Sequence, residues 1–146
     1  KGLGAPVGAA LAGTTDVIAA AWSVRKRFGG GMRQSGILAA GALHGLEFHL
    51  PRLAEDHELA REFASVVDGA GGARVVEPDT NIVMLDLPEH VNSADVIVAA
   101  AKAGVHVTPW SRSRIRAVMH LDVNREMVRE AAWVVARAVE NNGAHR

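Results

Sequence analysis

A lysine followed at once by a small, glycine-rich turn, Lys1-Gly2-Leu3-Gly4-Ala5-Pro6, is suited to amine chemistry. To condense with a carbonyl compound as a Schiff base, a lysine must give up its proton, and crowding, desolvation or a nearby cation lowers its pKa. Glycine neighbours let a flat ligand approach the backbone. An ordinary lysine at a frayed terminus has the same local look, so the rest of the chain has to decide.

Three other cations belong to the same question. Arg116 lies in the apolar run Ile115-Arg116-Ala117-Val118. An arginine there is costly unless it meets an anion, and guanidinium is the group best shaped to grip a carboxylate with two parallel hydrogen bonds. The ordinary alternative is an edge-strand arginine reaching solvent. In a strand Arg114 and Arg116 share a face, opposite Ile115 and Ala117. Lys26 and Arg33 flank the triplet Gly29-Gly30-Gly31, where basic side chains and free backbone amides make a natural phosphate site. Equally, Arg25-Lys26-Arg27 forms the solvated, dipole-matching end of a helix.

The elements that must position these groups follow from pattern. Val7 to Gly13 is a small-residue apolar run that reads as a buried strand. Thr14 and Thr15 cap a helix ended by Gly29, and a second helix runs from Gln34 to about His49 with Gly41, Ala42 and Gly45 on its close-packing side. Pro51 starts a third helix, with Leu53, His57, Ala60, Phe63 or Ala64 and Val67 inward, stopped by the glycines from Gly69. Strands follow at Arg74 to Val76 and Asn81 to Leu87. Asn92 or Ser93 caps a helix ending at Gly104, strands cover His106 to Trp110 and Ile115 to His120, and Asn124 starts the last helix. That order predicts an α/β to α+β chain whose second part is an antiparallel sheet covered by helices on one face.

Composition sets outer bounds. The 146 residues suffice for one domain, or for the end of one domain and a small second one. Sixteen basic residues balance sixteen acidic ones, which gives no electrostatic footprint for nucleic acid or an anionic membrane surface. No apolar run approaches the ~20 residues a membrane span needs. Lack of cysteine removes disulfides and thiolate zinc sites and fits a reducing, cytoplasmic setting. The chain opens on a lysine without an initiator methionine and with nothing like a signal segment after it, so it reads as the downstream part of a longer protein.

Taken in order, Lys1 to Gly8, the run Arg25 to Gly36, Arg52-Leu53-Ala54-Glu55-Asp56-His57 and Arg114 to Val123 resemble the low-specificity threonine aldolases, within the beta-eliminating lyase group of fold type I pyridoxal phosphate (PLP) enzymes. The resemblance covers essentially the whole chain. It implies that residues 1–52 end a large PLP-binding domain and that residues 53–146 form the small C-terminal domain. It implies that Lys1 holds the cofactor through its amine, that Arg33 and Lys26 approach its phosphate or order a subunit interface, and that Arg116 receives the substrate's α-carboxylate. Met119 stands where the family usually has threonine, which puts tuning by a hydroxyl there in doubt. The implied reaction splits threonine or allo-threonine to glycine and an aldehyde, in a homo-oligomer, dimer or tetramer. The aspartate that pairs with the cofactor ring nitrogen, the residue stacked on the ring, most of the phosphate cup and the histidine base would lie upstream, and this segment alone would not turn over substrate.

The histidines carry little chemistry in sequence. His44 and His49 are five apart, which does not place both on one α-helical face, and no metal site is expected. His57 and His120 read as structural, His120 as support for the Arg116 strand, and Asp79-Thr80-Asn81 as a turn or strand entry. Two other functions stay open: another PLP reaction on the same scaffold, such as beta-elimination or racemisation, or a small binding domain over residues 55–146 in which Lys1 plays no part.

Overall fold

Thr14 is extended and its carbonyl accepts the first bond of helix α1, Thr15–Arg27, although its hydroxyl makes no cap bond. In this computed structural model, which describes residues 2–143, α1 ends as the glycines require. Gly29 takes the left-handed region at φ 73°, which closes the helix. A Cβ on Gly30 would sit 3.0 Å from the Arg25 side chain, and Arg25 Nε donates to the Gly30 carbonyl at 2.7 Å. Residues Lys1–Pro51 and Arg52–Arg146 form two compact units.

In the first unit the strand expected at Val7 to Gly13 does not form. The segment is irregular and exposed. A strand must pair its amides and carbonyls with a neighbour, and no other strand is found among the described residues of this unit. Its Ala and Gly side chains also offer little apolar area to drive burial.

The second helix is confirmed with a change of pitch. Gln34 has φ 52°, so regular structure starts later than expected, as α2, Gly36–His44. It then runs directly into a π turn, Gly45–His49. Five residues span about 500° in an α-helix, leaving two side chains about 140° apart. The wider i to i+5 turn removes most of that offset. His44 and His49 therefore do share a face, with ring centroids 5.2 Å apart in an edge-on arrangement.

The second unit is a helix-covered sheet. Its elements are α3, Leu53–Val67; a short 3₁₀ turn, Ala70–Gly72; β1, Arg74–Val76; β2, Ile82–Asp86; α4, Ser93–Lys102; β3, Thr108–Ser111; β4, Arg114–Val118; and α5, Arg125–Gly143. The strands are all antiparallel in the order β1-β2-β4-β3. Val83, Leu85, Ile115 and Ala117 point into one core with Leu59, Phe63 and Val67 of α3, Val96 and Ala100 of α4, and Val128, Val135 and Val139 of α5. The caps at Asn92 and Asn124 are present, their side chains accepting from the amides of Ala94 and Met127.

The α3 face differs from the expectation, and the β2 face is decided by its pairing. On α3 the inward set is Asp56, Leu59, Ala60, Phe63, Ala64 and Val67, with His57 only half-buried. On β2 the core takes Val83 and Leu85, leaving Ile82, Met84 and Asp86 on the opposite side.

Candidate functional site

The open side of the sheet carries the second unit's chemistry. Cross-strand neighbours in an antiparallel sheet share a face, so the register builds two rows. Arg74, Asp86 and Arg114 form one; Val76, Met84, Arg116 and Thr108 form the other. Arg114 donates to both carboxylate oxygens of Asp86, through Nε to Oδ1 and through Nη2 to Oδ2 at 2.9 Å. That hydrogen bonding holds the Asp86 carboxyl below the usual aspartate range, against a smaller opposing effect of burial, and raises the Arg114 pKa in turn.

Arg116 is in a different state. It is half-buried, its Nε is screened from solvent and unbonded, and among the described residues no acid pairs with it. Its guanidinium lies over the Trp110 ring, 5.7 Å from the centroid. Because Arg114 is already neutralised by Asp86, Arg116 is the β4 arginine left without an acidic partner among the described residues. Alternation alone places both arginines together and does not tell them apart. The sign of residue 86, directly across the strand pair, does.

Residues after β4 hold that strand rather than line its open face. Asn81 donates from Nδ2 to the Met119 carbonyl at 2.6 Å, and the Met119 amide returns a bond to the Asn81 carbonyl. His120 Nδ1 accepts from the Asp122 amide at 3.3 Å. Met119 is buried and lines a cavity of about 350 Å³ with Phe63, Val107 and Val128. Its departure from threonine falls among core residues rather than beside Arg116 on the open face.

The first unit holds the other sequence-predicted cations. Lys26 lies in the last turn of α1 and Arg33 beyond the glycine turn. Both are exposed, and neither has an acidic partner among the described residues. Arg25, by contrast, is committed to the Gly30 carbonyl and stacks on Trp22 at 4.8 Å. Lys1 lies outside the described residues. In the segment after it, Gly4 is left-handed at φ 75°, and the Leu3 carbonyl meets His49 Nδ1 at 2.7 Å. That contact was not foreseen from sequence, because His49 takes part only through the π turn.

A family model described as beta-eliminating lyase matches residues 1–90. The chain is similar to the low specificity L-threonine aldolase of Escherichia coli (strain K12), with 42% identity over 134 residues that take in 90% of this chain and 38% of that protein. It is 37% identical over 124 residues to the low-specificity L-threonine aldolase 1 of Arabidopsis thaliana, covering 82% of this chain and 35% of the plant protein. The chain thus spans little more than a third of the length of these relatives. In structure it is similar to a Listeria monocytogenes protein provisionally assigned as an L-allo-threonine aldolase, with TM-score 0.67, 20% identity, and 97% of this chain on 42% of that one. It is also similar to the alpha-aminoadipate aminotransferase LysN of Thermus thermophilus, solved with N-(5'-phosphopyridoxyl)-L-leucine: TM-score 0.57, 17% identity, 73% of this chain on 29% of that one.

Proposed function

The chain belongs to the beta-eliminating lyase family, and from that premise we propose that it is the C-terminal part of a PLP-dependent aldolase. The enzyme splits L-threonine and L-allo-threonine into glycine and an aldehyde. Residues 1–52 are the end of its large PLP-binding domain and residues 53–146 its small domain. The observation that carries the reading is Arg116: a guanidinium fork on an open sheet face, with an unbonded, screened Nε and with its neighbouring arginine neutralised. An amino acid carboxylate is the anion that fork fits.

The donors present suit the cofactor as well as the substrate. Lys26 and Arg33, two cations without acidic partners among the described residues beside a glycine turn, match the charge of its phosphate. When bound, PLP supplies a ring that draws electron density from the substrate's α carbon as the carbon-carbon bond breaks. This chain's residues do the rest of what falls to them. Lys1 would anchor the cofactor through its amine and, once freed by the substrate, would deliver a proton to the α carbon after the carbon-carbon bond has broken. Lys26 and Arg33 balance phosphate charge. Arg116 fixes the carboxylate, so that the bond to be broken has one orientation.

The reading also includes a cytoplasmic homo-oligomer, a dimer or tetramer, acting in glycine formation and threonine breakdown. The exposed apolar residues Ile37, Leu43, Leu46 and Phe48 on α2 and the π turn support the oligomer. No described helix is long and apolar enough to cross a membrane.

The test uses the complete gene product. Absorbance after PLP addition, with and without Lys1→Ala, is recorded beside glycine and acetaldehyde release from threonine. A lysine-dependent cofactor band together with aldehyde release is expected. A lysine-dependent band without aldehyde moves the assignment to another PLP-dependent lyase or a racemase, and no such band removes it.

A further inference from the structure

We propose that Gly45 and His49 are positioning residues for the reactive lysine: together they hold the backbone of the segment that follows Lys1, and through it the point from which the Lys1 side chain extends. The inference rests on Lys1 being the cofactor lysine, and it is drawn from contacts that lie wholly within the first unit.

Four observations converge on residues 3–6. The Leu3 carbonyl meets His49 Nδ1 at 2.7 Å. A carbonyl oxygen only accepts, so Nδ1 carries the proton and donates. Gly45 is the one buried residue among the described residues of the first unit. A Cβ built on it would lie 2.5 Å from the same Leu3 oxygen and 3.0 Å from Leu3 Cβ, so any side chain there would displace the segment. One turn earlier, a Cβ on Gly41 would lie 3.0 Å from Pro6 Cδ. Between these two anchors, Gly4 adopts the left-handed backbone at φ 75° that allows the segment to turn against the helix.

The π turn makes the arrangement possible. Gly41 and Gly45 leave a groove into which Leu3 to Pro6 settle, and His49 closes it from the far end. The widened turn sets His49 beside His44, whose ring meets it edge-on at 5.2 Å, while Phe48 packs on His44 at 4.6 Å. These contacts limit the rotation of the His49 ring and keep Nδ1 aimed at the carbonyl. A reactive side chain whose neighbouring segment is held spends more of its time in a productive position than one carried on a loose loop.

The readout is attachment rather than turnover. The complete gene product and its His49→Ala, His49→Asn and Gly45→Ala variants are incubated with PLP, reduced with borohydride at intervals, and the fraction of Lys1 covalently pyridoxylated is measured by peptide mass. Circular dichroism and thermal midpoint report folding. Asparagine Nδ2 occupies roughly the place of histidine Nδ1, so His49→Asn keeps the donor and is expected to label at close to the wild-type rate. His49→Ala is expected to label about 3–10-fold more slowly, the range for losing one hydrogen bond. Gly45→Ala is expected to be slower still; if it does not accumulate folded, the two His49 variants decide the matter. Equal labelling of His49→Ala, His49→Asn and wild type would overturn the positioning role while leaving Lys1 as the cofactor lysine. Absence of labelling at Lys1 in the wild type would instead remove the reading on which the inference stands.

Discussion

Asp86 and Arg114 stand opposite each other on β2 and β4 and close a two-pronged ion pair on the open face of the sheet. Two residues further along the same face, Arg116 has no such partner among the described residues. The pairing divides two arginines of identical type and near-identical setting into one that is neutralised and one that is available. A single acidic side chain thus decides which of the two cations is left without an acidic partner among the described residues.

Loss of that pair in acid has a definite sign. The pKa of Asp86 is lower folded than the ordinary value of about 3.9, so the unfolded chain binds more protons between the two values. The stability it contributes is fully present above the unfolded value and is lost as pH falls through the lowered one. Arg74 and Arg114 are the cations facing Asp86 across the strands. Asp86→Asn is therefore expected to lower the urea midpoint slightly at pH 7, as exposed ion pairs generally contribute little. The gap between variant and wild type should close in acid, below the lowered pKa. A gap that persists there would mean that the asparagine acts through something other than charge.

Arg116 and Trp110 make separable predictions on the complete gene product. Arg116→Lys keeps the charge but loses the fork, and kcat/KM for threonine should fall about 10–100-fold, the range for a lost charge-assisted hydrogen-bonded contact. Trp110→Ala removes the ring beneath the guanidinium, and a loss of about 2–5-fold is expected, with Trp110→Phe closer to wild type. Steady-state kinetics over a range of threonine concentrations checks both. An Arg116→Lys enzyme with unchanged kcat/KM would take the carboxylate role away from this residue.

Much of the second unit was legible because its signals are local. Asn92 caps α4 through its own side chain, Gly69 ends α3 in the left-handed region, and β1 falls where two valines follow a glycine cluster. The misreadings have a common cause, which is that a neighbour decides and the segment does not. β2 is apolar at four of five positions, so alternation alone cannot say which face is inward; pairing with Ile115 and Ala117 chooses Val83 and Leu85. Val7 to Gly13 has the composition of a strand but, among the described residues of its unit, no strand to pair with. The free state of Arg116 and the reach of His49 to Leu3 both depend on residues distant in sequence, at positions 86 and 3.

Asp56 shows the same limit at higher energetic stakes. The inward set expected for α3 leaves Asp56 out, yet it is 1% exposed, with Arg52 Nη1 at 3.2 Å and neither carboxylate oxygen in a hydrogen bond among the described residues. Removing one partner of a buried pair leaves an uncompensated charge, so Arg52→Met is expected to cost about 3–5 kcal/mol. The double variant Arg52→Met with Asp56→Leu should recover most of that loss. Urea denaturation of the three proteins checks it, and additive losses in the double variant would contradict a direct coupling.

The choice of inward face on α3 is open to the same kind of measurement. The sequence pattern puts His57 inside, while the structure gives that place to Leu59, which is fully buried in the core. A buried leucine truncated to alanine costs about 2–5 kcal/mol through lost transfer energy and the cavity left behind. A half-buried histidine has far less to lose, and exposed or partly exposed substitutions generally stay within about 0.5 kcal/mol. Leu59→Ala should therefore lower the urea midpoint strongly and His57→Ala hardly at all. The reverse order would rotate α3 by about 160°, two residues at 3.6 per turn. That rotation would carry Asp56 out of the core and remove the basis for its coupling to Arg52.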